Sequence, residues 1–403
     1  MSPPFLPYGR QLIEDDDLAA VARVLQGDFL TTGPEVAAFE ADLAARCDAP
    51  HAVACANGTA ALHLAALAMG LGPGDAAIVP SLTFLATANC ARYVGAEVVF
   101  ADVDPVTGLM GPDHLEQALS RVGSLTPRAV LPVHLNGQCV DLEAMAPLVA
   151  RHNLAVIEDG CHALGARQRR GTDWDAAGSC RQSTMAVFSF HPVKTVAMGE
   201  GGAVTTRDEP LAARLKLLRS HGMSKDAGAF LCPDQAFDSD GQANPWYYEM
   251  AAPGFNYRAS DINCALGRSQ LAKLDRFTAE RARLHGLYQQ RLAGLAPLVR
   301  LLPEVPWSKP SWHIQVVHID FAAAGTSRAQ VMRALAADGI GTQVHYLPVH
   351  RQPYYRQRTG LLSLPGADAY YSGCLTLPLF VGMTDDDVAR VVSSLARILG
   401  GTS

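Results

Sequence analysis

A chain of 403 residues is longer than one hydrophobic core usually sustains, so two domains are expected. Its composition, 49% hydrophobic and 18% charged, is globular and leaves apolar surface for a subunit interface. A net charge of -6 provides no global basic field, which argues against nucleic acid and anionic membranes as partners and leaves any phosphate to be held by local groups.

Residues 3–10 read as an extended arm, after which Glu14, Asp15, Asp16 and Asp17 supply the acidic first turn of a helix ending near Gly27. A second helix is expected from Pro34 to about Cys47. Short apolar runs at 52–55, 76–79, 98–100, 129–133 and 154–157 then alternate with helical patterns at 60–69, 82–93 and 141–152. Such alternation is the mark of an α/β domain built on a mostly parallel sheet. Residues 226–245, polar and rich in Gly, Pro and Asp, read as a long loop. One long helical pattern over 260–295 links to a smaller second domain, with strands expected at 314–319 and 341–344 and helices at 328–338 and 385–399. The domain reading is therefore an arm and first helix (1–30), a large domain (31–260) and a linking helix with a small C-terminal domain (261–403).

Nine cysteines form no CxxC pair and no Cys/His metal spacing, so free thiols in a reducing cytosol and no metal site are expected. The N-terminus lacks a basic region followed by an apolar core, and no apolar run reaches the roughly 18 residues of a membrane span, which suggests a cytoplasmic protein.

Ligands of open α/β sheets bind beyond the carboxyl ends of the strands. The residues placed there are Asn57-Gly58-Thr59, Ser81 to Phe84, His134, Asp159 to His162, and Ser189. Lys194 follows on an irregular turn between the apolar run 185–188 and the Gly199-Glu200-Gly201-Gly202 stretch, where desolvation would lower its pKa and favour Schiff-base chemistry. Asn57-Gly58-Thr59 joins a turn to a helix start, whose free N–H groups and dipole suit a phosphate. Asp159 ends a buried run and needs a partner for its charge; a protonated pyridine nitrogen, a structural cation or a metal would each serve. His162, three residues on, is placed to reach the same group or to be a structural histidine. A lysine for an aldehyde, a carboxylate for a ring nitrogen, a phosphate cradle and an aromatic such as Phe84 for stacking are together the parts pyridoxal 5'-phosphate requires. No GxGxxG opens a helix after an early strand, so a dinucleotide site is disfavoured.

The ordered motifs carry a further signal. Thr31-Thr32-Gly33-Pro34, the Asn-Gly-Thr-Ala-Ala-Leu-His-Leu-Ala run at 57–65, Gly-Pro-Gly-Asp at 72–75, Thr83-Phe84-Leu85-Ala86-Thr87, Glu158-Asp159 with His162, Ser-Phe-His-Pro-Val-Lys-Thr at 189–195 and Gly254-Phe255-Asn256-Tyr257-Arg258 span most of the chain. With them it resembles the DegT/DnrJ/StrS family of aminotransferases acting on nucleotide-linked keto-sugars. The resemblance implies fold type I: a large domain with a mostly parallel seven-stranded sheet and a smaller C-terminal α/β domain. It also implies a homodimer with shared active sites.

By that resemblance Lys194 binds pyridoxal phosphate covalently, Asp159 pairs with its ring nitrogen and His162 with its ring oxygen. Gly58, Thr59 and Ser189 hold its phosphate, Asn256 of a partner subunit completes the phosphate site, and Phe84 stacks on the ring. Tyr8, Arg258, His345 and Tyr346 are implied substrate-binding residues, with Arg258 a clamp for the donor's carboxylate. Pro7 to Gln11, the Trp-Tyr-Tyr-Glu-Met run at 246–250 and the Val-His-Tyr run at 344–346 resemble most the branch that aminates a UDP-linked 4-keto-6-deoxy-N-acetylhexosamine with L-glutamate, for pseudaminic acid-type sugars. Another nucleotide 4-keto sugar, of legionaminic or perosamine type, and a non-catalytic regulatory protein are the alternatives. Segments 167–183 and 226–245 are longer than the family's pattern and are candidates to border the sugar pocket.

Overall fold

The computed structural model describes residues 4–400, so Pro3 of the expected arm lies outside the described residues. From residue 4 the arm is extended, and it is tied to the far end of the chain: Leu6 N–H donates to Gly339 O at 2.8 Å, Gly341 N–H to Leu6 O at 2.7 Å, and Leu379 N–H to Tyr8 O at 3.0 Å. Helix α1 (Asp15–Leu25) starts where Asp17 Oδ2 accepts Glu14 N–H at 2.9 Å, and α2 (Pro34–Cys47) starts with proline at its first position.

Then β1 (His51–Cys55), α3 (Gly58–Ala68), β2 (Asp75–Pro80), α4 (Leu85–Tyr93), β3 (Glu97–Ala101), α5 (Pro112–Leu119), β4 (Thr126–Val130), α6 (Leu142–Arg151) and β5 (Ala155–Asp159) alternate as expected. A hairpin, β6 (Arg167–Arg170) with β7 (Asp173–Ala176), precedes β8 (Met185–Ser189), β9 (Gly202–Thr206) and α7 (Glu209–Arg219). The main sheet has seven strands in the order β1-β9-β8-β5-β4-β2-β3. Only β9 runs against its neighbours β1 and β8. Its aliphatic faces, with Val79, Ile157 and Val187 fully or almost fully buried, pack against helices such as α3 through Leu64. The carboxyl ends of β1, β2, β5 and β8 thus open on one side of the sheet.

Gly202 sets how closely these ends approach. It lies opposite both Cys55 of β1 and Ser189 of β8, and a Cβ there would fall 2.3 Å from the carbonyl carbon of Asn57. Only glycine lets the β1–α3 turn and the end of β8 sit side by side.

Beyond α7 the expected loop at 226–245 is partly ordered. Strands β10 (Met223–Ser224) and β11 (Glu249–Met250) pair, and a short α8 (Pro233–Ala236) lies between them. Glu249 stabilises this lobe by accepting the N–H groups of Leu231 (2.6 Å) and Cys232 (2.7 Å). The single long helix expected at 260–295 is two, α9 (Asp261–Ala272) and α10 (Leu274–Leu292). They break at Lys273, whose ammonium is drawn to Asp16 (2.7 Å) and Asp17 (2.8 Å) at the start of α1.

The remainder comprises β12 (Val299–Leu301), β13 (Ser308–Lys309), β14 (Gln315–Ile319), α11 (Arg328–Ala337), α12 (Pro353–Thr359), α13 (Pro365–Gly373), β15 (Cys374–Leu377) and α14 (Asp385–Ile398). Strands β12, β14 and β15 form a sheet covered by α10, α11 and α14 through Leu284, Val331 and Val391. The strand expected at 341–344 is not formed: Gln343 makes one bridge to Thr376 and the chain then turns inward. No helix among the described residues is long and apolar enough to cross a membrane.

Candidate active site

The sheet ends, the arm and the turn after residue 341 enclose a cavity of about 610 Å³. Lys194 lies in its wall, on a loop closed at its base by Phe190 N–H to Gly201 O (2.8 Å) and Met198 N–H to Phe190 O (2.9 Å). Desolvation lowers the pKa of this lysine, while Cys161 and Asp159 nearby act in the opposite direction. The amine therefore becomes a neutral nucleophile at lower pH than an exposed lysine does.

Asp159, at the end of β5, also lines the cavity. Its Oδ2 accepts Thr87 Oγ1–H at 2.6 Å and its Oδ1 accepts Cys161 N–H at 3.1 Å. Since a carboxylate only accepts, the Thr87 proton is committed, and Thr83 Oγ1, 2.8 Å away, must donate to Thr87. These two threonines are buried; Thr83 was among the residues expected at the sheet edge and both lie in the 83–87 motif, but neither was assigned a role from sequence.

Glu158, its neighbour, alternates to the opposite face and solves its burial differently. His134 Nδ1 accepts Val140 N–H at 3.1 Å, which leaves the ring proton on Nε2 to donate to Glu158 Oε2 at 2.7 Å. Ser183 Oγ and Gln168 Nε2 donate as well. No full cation is required, and His134, one of the polar groups expected at the sheet edge, is turned away from the cavity.

The expected phosphate cradle lies at the start of α3. Asn57 Oδ1 caps the helix by accepting Ala60 N–H at 2.8 Å, and the N–H groups of Gly58 and Thr59 in the first turn have no intrahelical acceptor. A Cβ on Gly58 would lie 2.8 Å from Ser189 Cβ, so the helix start and the end of β8 close on one point.

Opposite stands a cluster of rings. His162 Nε2 is 3.0 Å from Tyr346 Oη, its ring centroid is 4.4 Å from that of His313, and its buried Nδ1 has no partner. Burial holds His162 and His313 well below the ordinary histidine range, and Lys194 pushes both further; His345, bonded to Thr376 Oγ1 at 2.8 Å, is brought down to about 3 by the same two causes. All three are neutral near pH 7. Burial raises the Tyr346 phenol well above its ordinary value, so it remains a donor. When it donates to His162 Nε2, the imidazole proton sits on the unpartnered Nδ1. His313 was not singled out from sequence; it is positioned by Arg281, buried in α10, which donates to His313 O at 2.9 Å. Tyr8 enters from the arm, and the Phe84 ring, 55% exposed, lies 6.2 Å from that of Tyr346.

The structure thus assembles Tyr8, Gly58, Thr59, Phe84, Asp159, His162, Ser189, Lys194, His345 and Tyr346 around one cavity. Asn256 and Arg258 do not line it; Asn256 is exposed and Arg258 half-buried with its Nε unpaired. Nor do segments 167–183 or 226–245 border it within the protomer.

These residues fit pyridoxal phosphate. The free amides at Gly58 suit its phosphate, Asp159 keeps carboxylate lone pairs beyond its two internal donors, His162 Nδ1 is an unused polar atom, and Phe84 presents a ring face. Among the described residues the acidic grouping able to hold a metal, Glu14, Asp16 and Asp17, is already engaged in ion pairs with Lys273 and Arg276.

Residues 11–396 match the DegT/DnrJ/EryC1/StrS aminotransferase family. The chain is 39% identical over 406 residues to the spore coat polysaccharide biosynthesis protein SpsC of Bacillus subtilis (strain 168), covering 98% of each. It superposes on Helicobacter pylori PseC, an aminotransferase involved in pseudaminic acid biosynthesis, with a TM-score of 0.85 at 26% identity and on DesV of S. venezuelae with 0.83 at 32%; in the first case 98% of this chain and 99% of the other are covered, in the second 100% of both. The chain therefore belongs to the DegT/DnrJ/EryC1/StrS family and is a pyridoxal phosphate-dependent sugar aminotransferase.

Proposed function

We propose that this enzyme transfers the amino group of L-glutamate to C4 of a UDP-linked 4-keto-6-deoxy-N-acetylhexosamine, for a pseudaminic acid-type sugar. The observation that carries the reading is the convergence of Lys194, Asp159, the α3 start and the Tyr8, His345 and Tyr346 cluster on one cavity. The likeness to PseC supports the sugar, and the likeness to SpsC supports a surface polysaccharide as its destination.

Pyridoxal phosphate, when bound, supplies the electron sink that accepts an amine and passes it on. Lys194 Nζ would hold it covalently, and the lysine amine would serve as the base that moves the proton at the reacting carbon. Asp159 would keep the ring nitrogen protonated, Gly58, Thr59 and Ser189 would hold the phosphate, His162, itself oriented by Tyr346, would bind the ring oxygen, and Phe84 would cover one ring face. Tyr8, His345 and Tyr346 shape the sugar side. Two chains form a homodimer in which Asn256 and Arg258 of each complete the other's site, which is consistent with the position of both outside their own cavity. The reading keeps the division into 1–30, the cofactor-binding 31–260 and the smaller 261–403.

The test is an assay of amine transfer from glutamate to a panel of UDP-, TDP- and GDP-linked 4-keto sugars. The UDP-linked N-acetyl sugar should have the highest kcat/KM; preference for another nucleotide would reassign the substrate, and failure with all would overturn the reading.

A further inference from the structure

Asn256 is held outward by the residues on either side of it. The segment 255–257 pairs with the chain leaving α7: Phe255 N–H donates to Leu218 O at 2.7 Å, His221 N–H to Phe255 O at 2.9 Å and Tyr257 N–H to Arg219 O at 3.0 Å, with an antiparallel bridge between Ser220 and Asn256. In such a pairing successive side chains point to opposite faces. Phe255 and Tyr257 share one face, their rings stacked at 4.8 Å and 19°. Both pack on His63 of α3, at centroid distances of 5.0 and 5.8 Å, and Tyr257 Oη lies 3.2 Å from His63 Nδ1. Asn256 is thereby turned to the other face, where it is exposed.

The same tyrosine reaches the expected phosphate cradle of its own subunit. Ala56, the residue before the helix cap Asn57, donates its N–H to Tyr257 O at 2.7 Å. Arg219, whose carbonyl takes the Tyr257 N–H, also donates through Nη1 to Ala54 O at 2.5 Å. The end of β1, the β1–α3 turn and residues 255–257 are thus bonded into one unit. Within it the backbone of Tyr257 holds the turn that opens the cradle, and its ring holds the helix that the cradle starts.

We propose that Tyr257 is a positioning residue for both phosphate sites of a dimer: its carbonyl steadies its own subunit's cradle, its ring sets Asn256 for the neighbouring one, and filling one site therefore favours filling the other. The proposal rests on the reading of a homodimer with shared sites and adds how the two sites are linked. Phosphate bound to the Gly58 and Thr59 amides orders the β1–α3 turn, and the turn fixes Tyr257. Asn256 then has less freedom left to lose when it meets the second phosphate, so that site binds at lower cost. Coupling between two sites is typically worth at least about fivefold in affinity.

The experiment is fluorescence titration of the dimeric full-length apoprotein with pyridoxal phosphate, with pyridoxal as the control that lacks the phosphate. The wild type should take up the second equivalent about fivefold or more tightly than the first, and should bind pyridoxal at both sites with one affinity. Tyr257→Phe, which keeps the stacked ring, should retain the two steps. Tyr257→Ala should bind pyridoxal phosphate at both sites with one, weaker affinity; His63→Ala, which removes the α3 side of the same contact, should do likewise and replaces it where Tyr257→Ala fails to fold. A merely structural role would shift both steps together and leave their ratio unchanged, and that result, or a single affinity in the wild type, overturns the proposal. If hybrid dimers of Lys194→Ala and Asn256→Ala chains recover activity while the two wild-type sites fill independently, the link falls and the shared-site reading stands. If such hybrids recover no activity, the shared-site reading falls and the link with it.

Discussion

Asp159 has two carboxylate oxygens and one internal donor to each, Thr87 and the Cys161 amide. That arrangement fixes the plane of the carboxylate while leaving lone pairs for a cation in the cavity, so Thr87 is a positioning residue. Removing a hydrogen bond to a charged group costs about 1.5–3 kcal/mol. Thr87→Val should therefore weaken pyridoxal phosphate binding to the apoprotein by about tenfold or more, read by fluorescence titration, whereas Thr87→Ser restores the hydroxyl and should restore the affinity. Wild-type affinity in Thr87→Val would contradict this role. Lys194 and Asp159 were legible because a lysine between an apolar run and a glycine cluster, and a carboxylate ending a buried run, are costly to place without a use. The role of Thr83 and Thr87 was not, although both stand in the 83–87 motif, because hydroxyls carry no desolvation signal comparable to a charge.

At the scale of elements, the β-α alternation was readable from apolar runs and turn residues, and β1 to β5 of the main sheet follow from it apart from their exact ends. What escaped was set by contacts distant in sequence. The helix breaks at Lys273 with no proline nearby, at the point where its ammonium pairs with the acidic start of α1. Cys374 to Leu377 is too short an apolar run to distinguish strand from loop by periodicity, and becomes β15 only by pairing with β14. The α3 start depends on a glycine that sequence could mark but not explain: Gly58 has Ser189 in the space a Cβ would need. Gly58→Ala should push α3 and β8 apart and lower affinity for pyridoxal phosphate by about tenfold, on the logic that phosphate binding at a helix start needs close backbone approach. Affinity for pyridoxal, which lacks the phosphate, should change little; an equal loss for both would place the effect elsewhere.

For the whole molecule, the cavity joins the two ends of the chain: the arm delivers Tyr8 from residue 8, the sheet delivers Lys194 and Asp159, and the turn after residue 341 delivers His345 and Tyr346. One protomer leaves Asn256 exposed and outside its own cavity, together with exposed apolar side chains such as Phe29 and Trp246. If sites are shared in a homodimer, mixing inactive Lys194→Ala chains with inactive Asn256→Ala chains should restore part of the activity through hybrid dimers that hold one intact site. Mixed dimers without recovered activity would assign Asn256 to its own subunit. The central claim, that Lys194 carries the cofactor which passes an amine from glutamate to a nucleotide-linked keto-sugar, is tested most directly by borohydride trapping followed by peptide mapping. The loaded enzyme should be labelled on the peptide containing Lys194, glutamate should abolish the label, and the UDP-linked keto-sugar should restore it; a label on another lysine, or one that glutamate leaves unchanged, would contradict the account.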